Sequence, residues 1–293
     1  MPSLTRGAAG ARPARRSASR GRAGARKRRW RLSDWWPGRR TRKRAWRSLK
    51  RLPRSLRLAV LVGVLALIAL GVNWFYQVAR KPTELFFPVS GTLYKTPGET
   101  WREYGPLFRR HATARITPAL LAALAQVEGS GNPVVRTYWR WAWRSKPFEL
   151  YRPASSAVGM YQMTDGTFEE ARRYCVHDHV VVQAGAWDDW HACWFNGLYF
   201  RVIPSHAVEL TSAYLDLQVA SALARARLAT ASARRTEELA AVIHLCGAGA
   251  GEAFAMRGFR FLPGQRCGDQ DPRVYVARVQ AMGALFERLA SEG

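Results

Sequence analysis

The chain has 293 residues, with 46 Lys/Arg against 21 Asp/Glu and a formal net charge of +25. The excess is lopsided: residues 1–57 hold 21 Lys/Arg against one acid, Asp34, whereas the 236 residues that follow hold 25 against 20. The charge therefore describes a tail and not the body of the chain, and the absence of an internal repeat leaves out a solenoid.

Residues 1–57 are rich in Arg, Ala, Gly and Ser, with hardly any apolar residue before Trp30. That is the composition of a disordered segment. Such a tail could neutralise nucleic-acid phosphates. Its basic residues beside Trp35, Trp36 and Trp46 are more simply drawn to anionic lipid, at about 1 kcal/mol each. Anionic lipid is the expected partner and nucleic acid is not.

From Leu58 to Ala79 run 22 residues without a charge, closed by Trp74, Phe75 and Tyr76. About 20 apolar residues suffice to span a bilayer, and aromatic residues gather at its interface. A cleaved signal peptide is the competing reading. The 57-residue charged leader is too long for an ordinary n-region, and no clear Ala-x-Ala site follows, so an uncleaved anchor is expected. By the positive-inside rule the tail stays cytoplasmic and the C-terminal part is exported. Residues 80–99, with Pro82, Pro88, Gly91 and Pro97, read as a linker or weakly structured stalk.

Residues 100–293 are long enough to bury one core. Their apolar spacing is mostly helical: 101–108, 118–128, 166–174, 205–229, 236–245 and 272–291. The expected fold class is all-α, or α-dominated, behind a single transmembrane helix and a disordered basic tail.

In the second of these helices Leu120, Leu121, Leu124 and Val127 share a stripe, with Thr117 as N-cap and Pro118 at the first helical position. Glu128 falls at the C-terminal end. There the negative end of the helix dipole and adjoining apolar surface both oppose ionisation, which would raise its pKa toward that of a general acid. Gly129, Gly131 and Pro133 then stop the helix. A glutamate at a helix end is, taken alone, more often a solvated terminus.

Three further blocks change that balance. Glu128-Gly-Ser-Gly-Asn-Pro133 is followed by Ser156-Ala-Val-Gly159-Met160-Tyr161-Gln162-Met-Thr-Asp-Gly-Thr167. Leu239 to Gly251 contains His244-Leu-Cys-Gly-Ala-Gly. Pro272-Arg-Val-Tyr275-Val-Ala-Arg-Val279 closes the series. Over about residues 100–290 these blocks resemble the SLT-type lytic transglycosylases of the lysozyme superfamily, whose pattern is a helix-terminal Glu-Ser-x-x-x-Pro, a Gly-Leu-Met-Gln block, a Tyr-Asn-x-Gly helix end and a closing Tyr-Val-type helix. Glu128, Pro133, Gly159, Gln162 and Thr167 match. Gly129 stands in place of the usual serine, Tyr161 of a methionine, Asp165 of a proline and His244 of the tyrosine thought to hold the catalytic carboxyl.

The resemblance implies a lysozyme-like domain with Glu128 as catalytic acid and base, acting on peptidoglycan glycan strands at the MurNAc-β-1,4-GlcNAc bond to leave a 1,6-anhydro sugar. It implies that Ser156, Gly159, Met160, Tyr161, Gln162 and His244 contact the substrate, with Tyr161 lining the cleft. No cofactor is required. The implied place is the bacterial inner membrane, single-pass, with the catalytic domain periplasmic. A lysozyme-like hydrolase would need a second acid, for which Glu209 and Asp165 are the candidates. A non-catalytic glycan-binding scaffold of an envelope assembly is the alternative from another class. His244 on an Ala/Val/Leu/Ile helix is, taken alone, more often a satisfied core residue.

All four cysteines lie in the exported part, where an even number argues for disulfides. Sequence leaves three pairings open. Proximity favours Cys175 with Cys193 and Cys246 with Cys267. A zinc site is the rival, since Cys175, His177, His179, His191 and Cys193 are ligand types, but Cys-x-His-x-His is not a common zinc spacing. No metal is expected. Finally, Tyr138, Trp139, Trp141 and Trp143 interleave with Arg140, Arg144 and Lys146; this composition suits sugar rings, a membrane surface or core packing, and residues alone leave the three open. The insert at 176–204, with Trp187, Trp190 and Trp194, has no clear counterpart in the family pattern.

Overall fold

The computed structural model describes residues 53–142, 150–183, 185, 189, 192–228 and 231–292, with Lys43, Trp46 and Arg47 before them. The expectations for the basic tail, for Trp143, Lys146, Trp187, Trp190 and His191, and for the side chain of Trp194, lie outside these residues. The chain divides into two units, Met1–Gly63 and Val64–Gly293, with the boundary inside the first described helix. Of the first unit, only the start of that helix is described at length.

Helix α1, Arg54–Arg80, is 27 residues long, and its most apolar stretch has a mean hydropathy of 2.4. At 1.5 Å per residue this is about 40 Å, long and apolar enough to cross a membrane. The helix is apolar on all sides, yet Asn73, Gln77 and Val78 are buried.

The remaining elements are mainly helical. They are α2 (Pro97–His111), α3 (Pro118–Gly129), the short α4 (Asp165–Ala171), α5 (Pro204–Arg225), α6 (Ala233–Cys246), α7 (Ala248–Met256) and α8 (Pro272–Ser291). Two small antiparallel pairs interrupt them. β1 (Trp139–Trp141) pairs with β2 (Tyr151–Pro153), Arg140 facing Arg152. β3 (Tyr174–His177) pairs with β4 (Val180–Gln183).

Helix α3 is the central element. Thr117 Oγ1 accepts from Leu120 N, and Pro118 opens the first turn without losing a needed donor. Every residue from Ala119 to Ala125 is buried. Small alanines let neighbours approach on all sides, and α3 packs against α8, α2 and α5. Leu120, Leu121 and Leu124 each contribute roughly 1.5–3 kcal/mol of burial. Ser130, at φ 48°, caps the end with its amide on the carbonyls of Ala125 and Gln126.

The structure differs from the sequence reading in three places. Residues 166–174 are not one helix: α4 stops at Ala171 and the chain turns into β3. The β3–β4 turn is made by Asp178 and His179, both left-handed (φ 48° and 64°), a two-residue hairpin turn without the glycine that would have advertised it. Residues 80–99 are docked rather than free. Pro82–Phe86 form a 3₁₀ turn and Phe87–Ser90 a helical turn. Glu84 is buried and receives Trp139 Nε1 (2.9 Å) and Arg136 (3.1 Å), Asn132 Nδ2 donates to Ser90 O (2.5 Å), and Lys95 N donates to Ser130 O (2.8 Å). A buried carboxylate with a cationic partner holds a segment that composition alone marks as loose.

Two disulfides join Cys175 to Cys193 and Cys246 to Cys267. Cys175 and Cys193 therefore offer no thiolate to zinc, and among the described residues no metal-ligating cluster occurs. The second bridge ties the end of α6 to the loop before α8.

Candidate functional site

Glu128 emerges from the last turn of α3 with its side chain 13% exposed. Tyr275, from the first turns of α8, donates its hydroxyl to Glu128 Oε1 at 2.6 Å. The turn that aims Tyr275 is set by Asp271, whose carboxylate caps Arg273 N (2.8 Å), and by Pro272 at the first position of α8. Burial, reinforced by the charge and hydrogen bond of Glu128, pushes the Tyr275 hydroxyl well above its ordinary value of 10. It stays protonated at neutral pH and remains a donor. Among the described residues no hydrogen bond reaches the other oxygen, Oε2.

His244, from the last turn of α6, places Nε2 3.9 Å from Glu128 Oε1, beyond hydrogen-bonding reach. Burial pushes its pKa below the ordinary 6.5, and this outweighs Glu128 and the Tyr161 carbonyl, which both pull it up. The imidazole beside Glu128 is neutral at pH 7. The hydroxyl that holds the carboxyl thus comes from Tyr275 on α8, and not from the α6 position that His244 occupies.

The Gly159–Met163 segment forms a tight turn directly over the end of α3. A Cβ on Gly129 would lie 2.8 Å from both Cα and O of Met160. Real Cβ atoms do not approach that closely, so glycine at 129 is required by this contact. Gly159 (φ +80°) is likewise required, since a Cβ there would lie against Arg201 O. Gln162 is also left-handed (φ 46°), and its Nε2 donates to Gly159 O (2.9 Å) and Val135 O (3.2 Å). Non-glycine residues held in that region cluster at functional sites.

The residues expected to touch substrate fall into two groups. Gln162 and His244 line a cavity of about 230 Å³ together with Met163, Thr167, Thr211 and Tyr214. Thr211 Oγ1, on α5, is buried there without a hydrogen-bond partner. Met160 and Tyr161 instead lie beneath the site. Tyr161 is 1% exposed and its hydroxyl donates to Leu121 O (3.2 Å), while its ring meets His244 edge-on at 6.4 Å. Ser156 Oγ accepts from Asp165 N (3.2 Å), which shapes the start of α4.

Two residues that matter here were not singled out from the sequence. Tyr275 was visible only as part of a closing-helix pattern. Arg201, from the insert at 176–204, donates to Met163 O (2.8 Å) and Ser156 O (3.1 Å), pairs with Asp165 (2.7 Å) and covers the Phe168 ring. It clamps both ends of the Gly159–Met163 turn. No motif announces it; only the bends it spans do.

The two candidate second acids are engaged elsewhere. Glu209 is buried and accepts from Val176 N (3.1 Å) and Tyr199 Oη (2.9 Å). Asp165 is largely exposed in its pair with Arg201. Set against protein-family models, curated proteins and solved structures, the chain matches none.

Proposed function

We propose that this chain is a membrane-anchored peptidoglycan lytic transglycosylase with a lysozyme-like domain. The observation that carries the reading is the carboxyl of Glu128, held on one oxygen by Tyr275, with no hydrogen bond to the other among the described residues, beside the Gly159–Gln162 turn. Support for an exported domain comes from the two disulfides and from the basic residues that precede α1. On this reading the anchor lies in the bacterial inner membrane and the domain in the periplasm.

In the proposed reaction Glu128 donates its proton from Oε2 to the oxygen of the MurNAc-β-1,4-GlcNAc bond, and the bond from that oxygen to the anomeric carbon breaks. The resulting carboxylate takes the proton of the MurNAc C6 hydroxyl. O6 then bonds to the anomeric carbon, closing the 1,6-anhydro ring without water. One group serves as acid and then base, so a second carboxylate is not needed. His244, held neutral by burial, adds no positive charge beside Glu128. Gln162, Thr211 and His244 line the cavity that would take the sugar and its N-acetyl group; Glu128 does not line it, and His244, 3.9 Å from Glu128, connects the two.

The test is to incubate the detergent-solubilised full-length protein with peptidoglycan sacculi and weigh the soluble fragments. Anhydro-muropeptides, lighter by one water than the reducing-end forms, are expected. Fragments carrying only reducing ends would make it a hydrolase.

A further inference from the structure

We infer that the face around the β1–β2 hairpin and the 82–94 segment is a lipid-contacting shelf, immersed in the headgroups of the leaflet from which α1 emerges. The inference rests on the reading of α1 as a membrane span and not on catalysis.

The first observation is a tether. Asn73 Nδ2 donates to Tyr151 O at 2.6 Å, and Lys81 Nζ donates to Ala157 O at 3.0 Å. Asn73 lies seven residues before Arg80, roughly 10 Å back along the helix axis. Strand β2 is therefore fastened alongside the aromatic end of α1, at the level of Trp74 and Phe75, and not above it. Trp139 Nε1 on Glu84 fastens the 82–94 segment to the same hairpin. The hairpin cannot sit at a different height without breaking these partly buried hydrogen bonds.

The second observation is what this region exposes. Phe75 is 70% exposed, Tyr138 66%, Leu85 59% and Trp141 49%, with Phe86 and Val89 also exposed. Scattered single apolar residues need no explanation, but a cluster built on one tethered unit marks an interaction surface. Trp and Tyr, with an apolar body and a polar tip, favour the membrane interface.

The third observation is charge. Arg80 and Arg140, both exposed, lie among these residues, and basic groups at this height complement lipid phosphates. Continuity with the span and the sign of the charge together select lipid as the occupant. The domain is then fixed at the membrane surface, and the glycan it reaches is the layer nearest the bilayer.

The test uses the full-length protein in vesicles of phosphatidylethanolamine and phosphatidylglycerol, with single cysteines introduced by Tyr138→Cys, Trp141→Cys, Leu65→Cys and Met256→Cys and labelled with an environment-sensitive fluorophore. Mass analysis first verifies that both native disulfides are intact. Headgroup-level nitroxide lipids should quench labels at 138 and 141 at least about threefold more than the label at 256, as interfacial insertion requires. Deep nitroxide lipids should quench the label at 65. Quenching at 138 and 141 no greater than at 256, with 65 still quenched, would overturn the shelf and leave the span standing. Loss of quenching at 65 would overturn the span and the shelf together, and sacculus cleavage would be unaffected by either result.

Discussion

Tyr275 and Glu128 are separated by 147 positions in the chain and by 2.6 Å in the structure. The hydroxyl fixes one carboxyl oxygen, and so decides which way the other points. Replacing Tyr275 with Phe removes the donor and keeps the ring. Misorientation of a reacting group costs on the order of 100-fold in turnover, which is the loss expected in kcat with KM for sacculi little changed. Stability should fall by only about 1 kcal/mol, as for one hydrogen bond. Muropeptide release and thermal melting read the two separately.

Gly129→Ser tests the packing over the acid. A serine here, as in the pattern that this stretch resembles, would put a Cβ 2.8 Å from the Met160 backbone. Overpacking of this kind costs about 1–3 kcal/mol, so the variant should melt lower than wild type and cleave more slowly. A neutral effect on both would mean that the Gly159–Met163 turn gives way freely.

Arg201→Ala removes the clamp on that turn while leaving Glu128 and Tyr275 in place. On the proposed reading, in which the turn positions substrate and Glu128 transfers the proton, the expected signature is a higher KM with a smaller change in kcat. Rescue by Lys should be poor, because one ammonium does not reproduce two carbonyl bonds and an ion pair in a planar fork.

His111, His206 and His244 all have pKa values pushed below 6.5, by burial in each case. Below about pH 6.5 the unfolded chain binds protons that the folded chain refuses. Stability present above that pH is therefore lost as pH falls toward the lower folded values. Urea midpoints should drop from about pH 7 to about pH 5.5, and the double variant His111→Gln/His244→Gln should flatten that drop.

Cys246 and Cys267 close a loop with a sequence separation of 21, which a chain-entropy account values at about 3 kcal/mol. The double Cys→Ser variant should melt lower by that order. It should also lose activity, because the bridge anchors the end of α6 that carries His244.

Much of this was legible in the sequence, and the exceptions share a cause. Thr117, Pro118 and the buried stripe of α3 are local patterns, and α8 begins at Pro272 and ends at Ser291 as its spacing indicates. The disulfide pairs follow from proximity along the chain. The β3–β4 hairpin was missed because Asp178 and His179 make a turn that normally displays glycine. Tyr161 was expected at the cleft and lies under it, since its hydroxyl found Leu121 O, a partner 40 positions away. Residues 80–99 looked loose because Glu84 Oε2 is held by Arg136 and Trp139, both more than fifty positions distant. Contacts closed across such separations leave no periodic trace in the chain.

The most direct measurement compares full-length wild type with Glu128→Gln on sacculi, with a folding control by circular dichroism. Wild type should release anhydro-muropeptides, and the glutamine variant, equally folded but without a transferable proton, should release at least about 100-fold less. Equal release by the two proteins would contradict the assignment of Glu128 as the catalytic acid.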